Sequence, residues 1–435
     1  MKMADWREVY KQKLVDAKKA VSFIESGDRI FVGNNISVPI MLMEALAERK
    51  DELKDVTVYG GTSLYPFSIM KSDEYCGKIN FMTTFCAGYD VALRSKGNVA
   101  VNSVSFNHLA ESLIHGQHVN VVMAECSAPD EDGYVSFGPA GIAAIPQVAE
   151  KAEKVILQVN RNQALLKNDP YHFHISRATC IHEHDSELPE FPQGDATEEE
   201  LKMVEYLLPY IEDGSTLQLG LGGLPNALGF RLESRKNLGV HTEMYTDSMA
   251  YLAKKGVING KQTAAFALGC KDMIDYVSQG TVEFKPISIV NDPYEIGKID
   301  KIISINACLM ADLTGQVCSE AIGYRQYSCT GGQLDFVRGA ALSKGGKSFL
   351  CCSSTFTAKD GTVESKIKAT LPPGSIITTP RSDVQYIVTE YGVADLWLKP
   401  IEDRVKAMIA IAHPDFREQL RDEAIEHGIV RRNIF

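Results

Sequence analysis

The sequence has no long hydrophobic run and no regular pattern of paired cysteines. None of its apolar stretches approaches the roughly 20 residues that span a bilayer, and the N-terminal MKMADWREVYKQK lacks the apolar core of a signal peptide. The ten cysteines form no CxxC pair, which argues against a structural zinc site. These absences predict a cytoplasmic protein with free thiols, no membrane partner and no metal.

Positive charge is also scarce. The net charge of -11 over 435 residues disfavours nucleic acid or an anionic membrane as a partner. Apolar residues make up 45% and charged residues 23%, as is typical of globular proteins. Because the chain is too long for one ordinary core, we expect two domains.

Short β-rich runs alternate with amphipathic helical segments along the chain. The runs DRIFVG, VNVVMAE, STLQLG and KSFLCCS are apolar on both faces. This alternation predicts an α/β protein with open, mainly parallel sheets and crossover helices.

The two halves of the sequence look related. Cys126 matches Cys308, Asp130 matches Asp312, and Gly133 matches Gly315, all at one constant offset. Between the halves, the acidic and proline-containing segment 186–200 is typical of a linker, and Thr197 is expected to cap the helix that follows. We therefore predict two related domains, residues 1–190 and 191–435.

The stretch 215–247 carries the most chemical information. A buried strand, STLQLG, leads into a turn at Gly220, Gly222 and Gly223, where bare N–H groups are suited to phosphate or an oxyanion. The strand GVHTEMY then presents Glu243 towards the edge of a parallel sheet, where ligands bind in α/β folds. Position alone fits a solvated or capping glutamate equally well.

The same glycines imitate a dinucleotide-binding fingerprint. Gly220-x-Gly222 is followed by Glu243 about 20 positions on, where that fingerprint has an acidic residue. Pro225, however, replaces the third glycine, so the sequence gives little support to an oxidoreductase.

Longer motifs resemble one protein family. STLQLGLGGLPNAL, HTEM, INACLMADLTGQVCSEAIG, GGQLDFVRGA, LSKGGK and TEYGVADL are similar to the acetyl-CoA hydrolase/transferase family, in its 4-hydroxybutyrate and butyryl-CoA:acetate CoA-transferase branch. SAPDEDGYVSFG extends the resemblance into the first half, so it covers nearly the whole chain. It implies a CoA-transferase-type fold and a homodimer or homotetramer.

The resemblance also implies a reaction. Glu243, in HTEM, would be the nucleophile that moves CoA between a short-chain acyl-CoA and a small carboxylate such as acetate, through a glutamyl-CoA thioester. Coenzyme A would enter and leave as thioester substrate and product. An acyl-CoA hydrolase using the same intermediate is one alternative. A nucleotide- or sugar-phosphate-sensing module without catalysis is an alternative of another class.

The family resemblance supports further site residues. Gln218 and Gly332 are expected to join Glu243 in catalysis. Residues expected to bind CoA are Gly220, Leu221, Gly222, Gly223, Leu224, Asn306, Gly331 and Lys366.

Other basic and metal-ligating residue types have weaker claims. Additional candidates for the CoA phosphates are Lys344, Lys347 and Lys368. Four clustered histidines, His172, His174, His182 and His184, have a spacing that fits metal ligands, but we expect a structural role.

Overall fold

The computed structural model describes residues 5–95, 97–191 and 193–435, which form two compact units. One unit comprises the described part of 1–191 together with Thr263–Val290, and the other comprises the described part of 192–262 together with Asn291–Phe435. The segment Thr263–Val290, placed in the second domain by the predicted boundary, thus joins the first unit. Within that unit, its helix Ile287–Val290 packs against residues 106–111.

The first unit contains a seven-stranded parallel sheet in the order β4-β3-β2-β1-β5-β7-β9. Its strands and a separate two-stranded ribbon, β6 with β8, are β1 (Arg29–Phe31), β2 (Val56–Gly60), β3 (Ile79–Thr83), β4 (Val99–Val101), β5 (Val121–Cys126), β6 (Tyr134–Val135), β7 (Lys154–Val159), β8 (Phe173–His174) and β9 (Cys180–Glu183). The central strands β2 and β5 are buried along their whole length, as the two-sided apolar pattern predicts.

Helices cover this sheet and bury its apolar side chains. They are α1 (Trp6–Lys13), α2 (Ala17–Val21), α3 (Ile40–Ala47), α4 (Ser68–Lys71), α5 (Tyr89–Leu93), α6 (Leu109–Glu111), α7 (Gly138–Gly141) and α8 (Ile145–Ala149). Leu42 and Leu46 of α3 lie in one core cluster with Ile30 and Val58 of the sheet. This burial supplies most of the stability of such a unit.

The second unit is likewise built on a mainly parallel sheet with crossover helices. Its strands run in the order β12-β11-β10-β14-β19-β23-β24. The strands from β11 to β23 in this order are parallel, and β24 at the edge is antiparallel to β23. They are β10 (Thr216–Leu219), β11 (Leu238–Tyr245), β12 (Ile258–Ala267), β14 (Ile302–Ala307), β19 (Lys347–Cys351), β23 (Tyr386–Thr389) and β24 (Gly392–Asp395). The far half of β12, from Thr263, pairs with β13 (Glu283–Phe284) in the first unit.

Small ribbons and further helices complete the chain. The ribbon strands are β15 (Met310–Asp312), β16 (Val317–Cys318), β17 (Ala321–Ile322), β18 (Arg325–Gln326), β20 (Thr355–Thr357), β21 (Val363–Ser365) and β22 (Ile367–Lys368). The helices are α9 (Glu198–Leu207), α10 (Gly223–Phe230), α11 (Asp247–Lys254), α12 (Lys271–Tyr276), α13 (Ile287–Val290), α14 (Pro293–Gly297), α15 (Gln333–Leu342), α16 (Ile401–Ile411) and α17 (Arg417–Glu426). Over the described ranges, no helix combines the length and apolar character needed to cross a membrane.

Both sheets reverse their strand order at one point. In the first unit, β2, β3 and β4 are added on one side of the β1–β5 pair, and β7 and β9 are added on the other side. In the second unit, the strand order reverses in the same way at the β10–β14 pair. The crevice outside the carboxyl ends of such a central pair is where open α/β sheets bind ligands. In the second unit, that crevice lies next to the predicted glycine turn.

One turn is repeated in detail. Oδ1 of Asp130 accepts hydrogen bonds from the backbone amides two and four residues on, and Oδ1 of Asp312 does the same. Gly133 (φ 87°) and Gly315 (φ 94°) both take the left-handed conformation that favours glycine. The predicted duplication is therefore visible as the same hydrogen-bonded turn in each unit.

The predicted helix cap at Thr197 is also present. Its hydroxyl accepts a hydrogen bond from the Glu200 amide at 3.2 Å, and the Glu200 carboxylate accepts one from the Thr197 amide at 2.9 Å. This reciprocal capping box fixes the start of α9, which borders the cleft described below.

Candidate active site

Glu243 lies inside β11, two residues before the strand ends. β11 pairs with β10 through Leu217 and Val240, and continuing that register puts Glu243 level with Gly220. Its carboxylate Oε2 accepts a hydrogen bond from Nδ2 of Asn291 at 2.8 Å. The side chain is therefore held by a specific donor in the second unit, unlike a solvated or capping glutamate.

Asn291 is fully buried and sits between two carboxylates. Its Nδ2 donates to Glu243 and also lies 3.5 Å from Oδ2 of Asp335, a buried residue of α15. This amide orientation follows from its surroundings, because both neighbours are hydrogen-bond acceptors. Oδ1 of Asn291 finds no hydrogen-bond partner within the described part of the chain.

Gly332, at the N-cap of α15, closes the other side of the carboxylate. A Cβ atom on Gly332 would overlap both Oε2 of Glu243 and Nδ2 of Asn291. Only glycine therefore leaves room for this hydrogen bond. Gly331, just before it, adopts a φ of 59°, so the turn that brings the backbone against the carboxylate also favours glycine.

The environment changes the acidity of Glu243. Burial raises its pKa from 4.5 to about 7; Asp335 adds a repulsion that raises it, and the hydrogen bond from Asn291 opposes the shift. Carboxylates that titrate near neutral pH and are held by specific neighbours, as Asn291 and Gly332 hold Glu243, are common in catalytic sites.

Gln218 and Asn306 form a separate network on neighbouring strands. The two amides exchange hydrogen bonds at 3.0 and 3.1 Å, and Oε1 of Gln218 also accepts one from Ser304 at 2.6 Å. The structure thus brings these two predicted residues together at the β10–β14 crevice. Within the described part of the chain, their side chains bond to each other and to Ser304, and not to Glu243.

The predicted glycine turn follows β10 and starts α10. Gly220 donates its amide to the Ile305 carbonyl at 2.8 Å, and Gly222 donates its amide to Gln193 at 3.3 Å. Gly222 has a φ of 122°, and a Cβ on Gly223 would collide with Asp195. The turn is thus built around its glycines, and two of its five amides already have protein acceptors.

A cleft of about 510 Å³ opens beside this turn within the second unit. It lies outside the carboxyl ends of β14, β19 and β23 and is bordered by the first turn of α9. Of the predicted CoA-binding residues, Leu221, Gly222, Leu224 and Lys366 line it. The cleft therefore occupies the edge of the sheet where α/β folds bind ligands.

Lys366 is the predicted lysine that lines this cleft. Its Nζ donates a hydrogen bond to Ser353 Oγ at 2.8 Å. Lys368 instead pairs with Glu364 at 3.2 Å, and neither Lys344 nor Lys347 belongs to the lining. Lys202 and His413 also line the cleft, and the sequence reasoning missed both.

The four histidines make local contacts in the first unit. His172 Nε2 lies 3.1 Å from the Leu166 carbonyl, and His182 Nδ1 lies 3.2 Å from the Val15 carbonyl. His174 contacts Ser176, and His184 stacks on His182. Within the described ranges, no group of three or more metal-ligating side chains forms a metal site.

Asn291 is the main residue that sequence reasoning missed. It precedes Asp292-Pro293, which the sequence marks only as a helix start, and it lies 48 positions after Glu243. Asp335 could have been proposed from the sequence, because it lies in the GGQLDFVRGA motif.

Comparisons with known proteins identify the family of the chain. The acetyl-CoA hydrolase/transferase N-terminal domain matches residues 1–189, and the corresponding C-terminal domain matches residues 269–424. The chain belongs to the acetyl-CoA hydrolase/transferase family. The family predicted from the motifs is therefore confirmed.

Named relatives match over almost their whole length. The chain is 38% identical to butyryl-CoA:acetate CoA-transferase of Anaerostipes caccae, covering 98% of this chain and 99% of that protein. It is 39% identical to 4-hydroxybutyrate coenzyme A transferase of Clostridium kluyveri, covering 96% and 99%. The solved 4-hydroxybutyrate CoA-transferase of Porphyromonas gingivalis is 33% identical with a TM-score of 0.79, covering 97% and 100%. The predicted CoA-transferase-type fold and enzyme class are thus confirmed.

Proposed function

We propose that this protein transfers coenzyme A between a short-chain acyl-CoA and a small carboxylate such as acetate, with Glu243 as the nucleophile. The observation that carries the proposal is the cradle of Glu243, in which Asn291 donates to one carboxylate oxygen and Gly332 leaves the space for it. The names of the relatives, butyryl-CoA:acetate and 4-hydroxybutyrate CoA-transferases, support the substrate class. They favour an enzyme over a non-catalytic sensing module.

The reaction begins when the Glu243 carboxylate attacks the thioester carbonyl of the acyl-CoA. The carbon–sulfur bond breaks, leaving an acyl-glutamyl anhydride and CoA thiolate. The thiolate then attacks the glutamyl carbonyl, which releases the first carboxylate and leaves a glutamyl-CoA thioester. An incoming carboxylate reverses these steps and departs as its CoA thioester.

Asn291 serves both states of Glu243. In the resting state its Nδ2 holds the carboxylate oxygen, and in the covalent state that oxygen is the carbonyl oxygen of the glutamyl group. When a nucleophile adds there, negative charge develops on the same oxygen, and a preorganised amide donor stabilises it. Asn291 is therefore proposed as one donor of the oxyanion site, with Gly332 shaping the space around it.

Coenzyme A is proposed to enter the cleft beside the glycine turn. Lys366 supplies a positive charge, and the start of α10 supplies backbone amides at a helix N-terminus. Glu200 and Glu390 also line the cleft, but they are engaged by Thr197 and Ser354 respectively. Gln218 and Asn306 are proposed to support the strand ends between the cleft and Glu243.

The decisive experiment is mass spectrometry of the full-length protein incubated with butyryl-CoA and no acceptor acid. We expect a CoA adduct on the peptide containing Glu243 that is discharged by acetate and absent from Glu243→Gln. An adduct that decays with acid release and ignores acetate would instead indicate the acyl-CoA hydrolase. Failure to form an adduct with butyryl-, acetyl- or 4-hydroxybutyryl-CoA, while turnover continues, would contradict the covalent role of Glu243.

The pKa of Glu243 predicts the pH dependence of the first half-reaction. The attacking form is the anion, and its pKa is raised to about 7 by burial. We therefore expect kcat/KM for the acyl-CoA to rise about tenfold per pH unit below that value and to level off above it. A profile that stays flat down to the ordinary glutamate pKa of 4.5 would show that the essential group is not this carboxylate.

Lys366→Ala tests the cleft. Because a charge-assisted hydrogen bond contributes about 1.5–3 kcal/mol, we expect KM for the acyl-CoA to rise roughly tenfold or more while kcat changes little. Lys368→Ala is the matched control, since that lysine pairs with Glu364 and lies outside the cleft lining. Equal effects of the two substitutions on KM would remove the argument for CoA in this cleft.

Three further features remain proposals. The catalytic glutamate is assigned to a C-terminal domain of residues 191–435, less the segment Thr263–Val290, and this domain follows an N-terminal domain of residues 1–190. A homodimer or homotetramer is the proposed assembly, and the cytoplasm is the proposed compartment. Sedimentation of the purified protein would test the assembly directly.

A further inference from the structure

Two cysteines stand side by side at the end of the central strands of the second unit. Ala307 of β14 pairs with Cys351 of β19, so the next residues, Cys308 and Cys352, are opposite each other. The Cys308 amide donates to the Cys351 carbonyl at 2.9 Å, which continues the parallel ladder past the pair. Side chains paired in register project to the same face of a sheet.

The spacing of this pair fits a disulfide. Neighbouring strands lie about 4.8 Å apart, and disulfides join Cα atoms roughly 4.4–6.8 Å apart. Both residues are free thiols. The spacing of paired strands therefore allows the two sulfur atoms to bond.

Both cysteines are largely buried, and both border the cleft described above. Cys308 and Cys352 line the same cleft as Lys366. The hydrogen bond from Cys308 lowers the pKa of the Cys352 thiol, and the Lys366 ammonium lowers it further against the effect of burial. The same hydrogen bond, together with burial, raises the pKa of the Cys308 thiol. Lys366 thus favours a thiolate at this pair, and a second thiol stands beside it to resolve an oxidised sulfur.

We propose that Cys308 and Cys352 form a hydroperoxide-oxidisable pair that closes to a reversible disulfide at the floor of the cleft. The Cys352 thiolate attacks the peroxide oxygen, the O–O bond breaks, and the proton from the thiol leaves with the first water. The resulting sulfenic acid is attacked by Cys308, which forms the S–S bond and releases a second water. The peroxide gains the two electrons that the thiols lose.

Mass spectrometry of the reduced full-length protein after treatment with hydrogen peroxide tests this directly. After alkylation and digestion, we expect one cross-linked peptide pair joining Cys308 to Cys352, two fewer alkylated cysteines, and full reversal by dithiothreitol. Cys351→Ser should keep the cross-link, because Cys351 pairs in register with Ala307 and not with a cysteine. Cys308→Ser should abolish it.

Several outcomes would overturn the proposal. These are a Cys352 sulfinic acid with no cross-link, a disulfide joining other cysteines, or full alkylation of both thiols under peroxide that oxidises a reference dithiol. The wild-type measurement alone decides between them, so the proposal does not depend on how well a variant folds.

A second arm separates this proposal from the proposed function, because the two can fail independently. Free CoA bound in the cleft should slow the cross-linking of wild-type protein by an amount that follows its occupancy. If peroxide joins Cys308 to Cys352 equally fast with and without CoA, the thiol pair stands and the assignment of CoA to this cleft fails.

Discussion

Glu243→Gln is expected to lower kcat for CoA transfer at least about 1,000-fold, because the substitution removes the nucleophile while preserving shape. The glutamine carbonyl can still accept the hydrogen bond from Asn291, so the cradle should persist. The measurement is steady-state transfer from butyryl-CoA to acetate. Glu212→Gln, at an exposed glutamate paired with Lys301, should keep full activity.

Stability supplies an independent check on the same variant. The pKa of Glu243 is raised from 4.5 to about 7, so its folded form holds a proton that the unfolded chain has already lost between those values. The wild-type protein therefore loses stability as pH rises through that window, and the loss corresponds to about 3 kcal/mol. Glutamine does not titrate, so Glu243→Gln should not lose this stability. The unfolding free energy of the variant minus that of the wild type should therefore increase by that amount between about pH 4 and pH 8. A folded, inactive variant with no such gain would show that the pKa of Glu243 is not raised in the wild-type protein.

The sequence predicted the parts of this site that are local in the chain. The strand, glycine turn and helix of 215–230 follow from burial pattern, glycine spacing and Pro225, all within one short segment. The capping box at Thr197 is likewise specified by four consecutive residues, 197–200. Local chemistry of this kind needs no knowledge of the fold.

The contacts around the Glu243 carboxylate are not local in the chain. Asn291 and Gly332 meet Glu243 only because separate crossover connections return to the same sheet edge. No periodicity relates residues so far apart, and an asparagine before a helix start is unremarkable by itself. For Gly332, the family resemblance provided what spacing could not.

The register of two strands produced the other unforeseen contact. Cys308 and Cys352 are ordinary apolar-run cysteines in the sequence, and they become neighbours only through the pairing of Ala307 with Cys351. A shift of one residue would send one thiol to the opposite face of the sheet. Tertiary contacts also decide the assignment of Thr263–Val290, which belongs to the first unit, where its helix Ile287–Val290 packs against residues 106–111.

Gly332→Ala is the second substitution with a large expected effect. The backbone φ of Gly332 is -100°, which alanine adopts freely, so the fold should tolerate the change. The added methyl group, however, would occupy space held by the Glu243 carboxylate and the Asn291 amide. Since a displacement of about 1 Å in a reacting group can cost about 100-fold, we expect kcat to fall by at least that factor.

The effect of Gly332→Ala should be confined to the reacting carboxylate. We expect the yield of the glutamyl-CoA adduct with butyryl-CoA to fall with kcat, while KM for the acyl-CoA stays within a few-fold, because the CoA cleft is lined by other residues. Gly194→Ala is the matched control, since a Cβ there meets no atom within 4 Å. Moving the Glu243 carboxylate and the Asn291 amide to admit the methyl group costs about 1–3 kcal/mol of stability, so the variant should remain folded. Wild-type kcat in a folded Gly332→Ala protein would mean that Glu243 reacts from a position other than the cradle formed by Asn291 and Gly332.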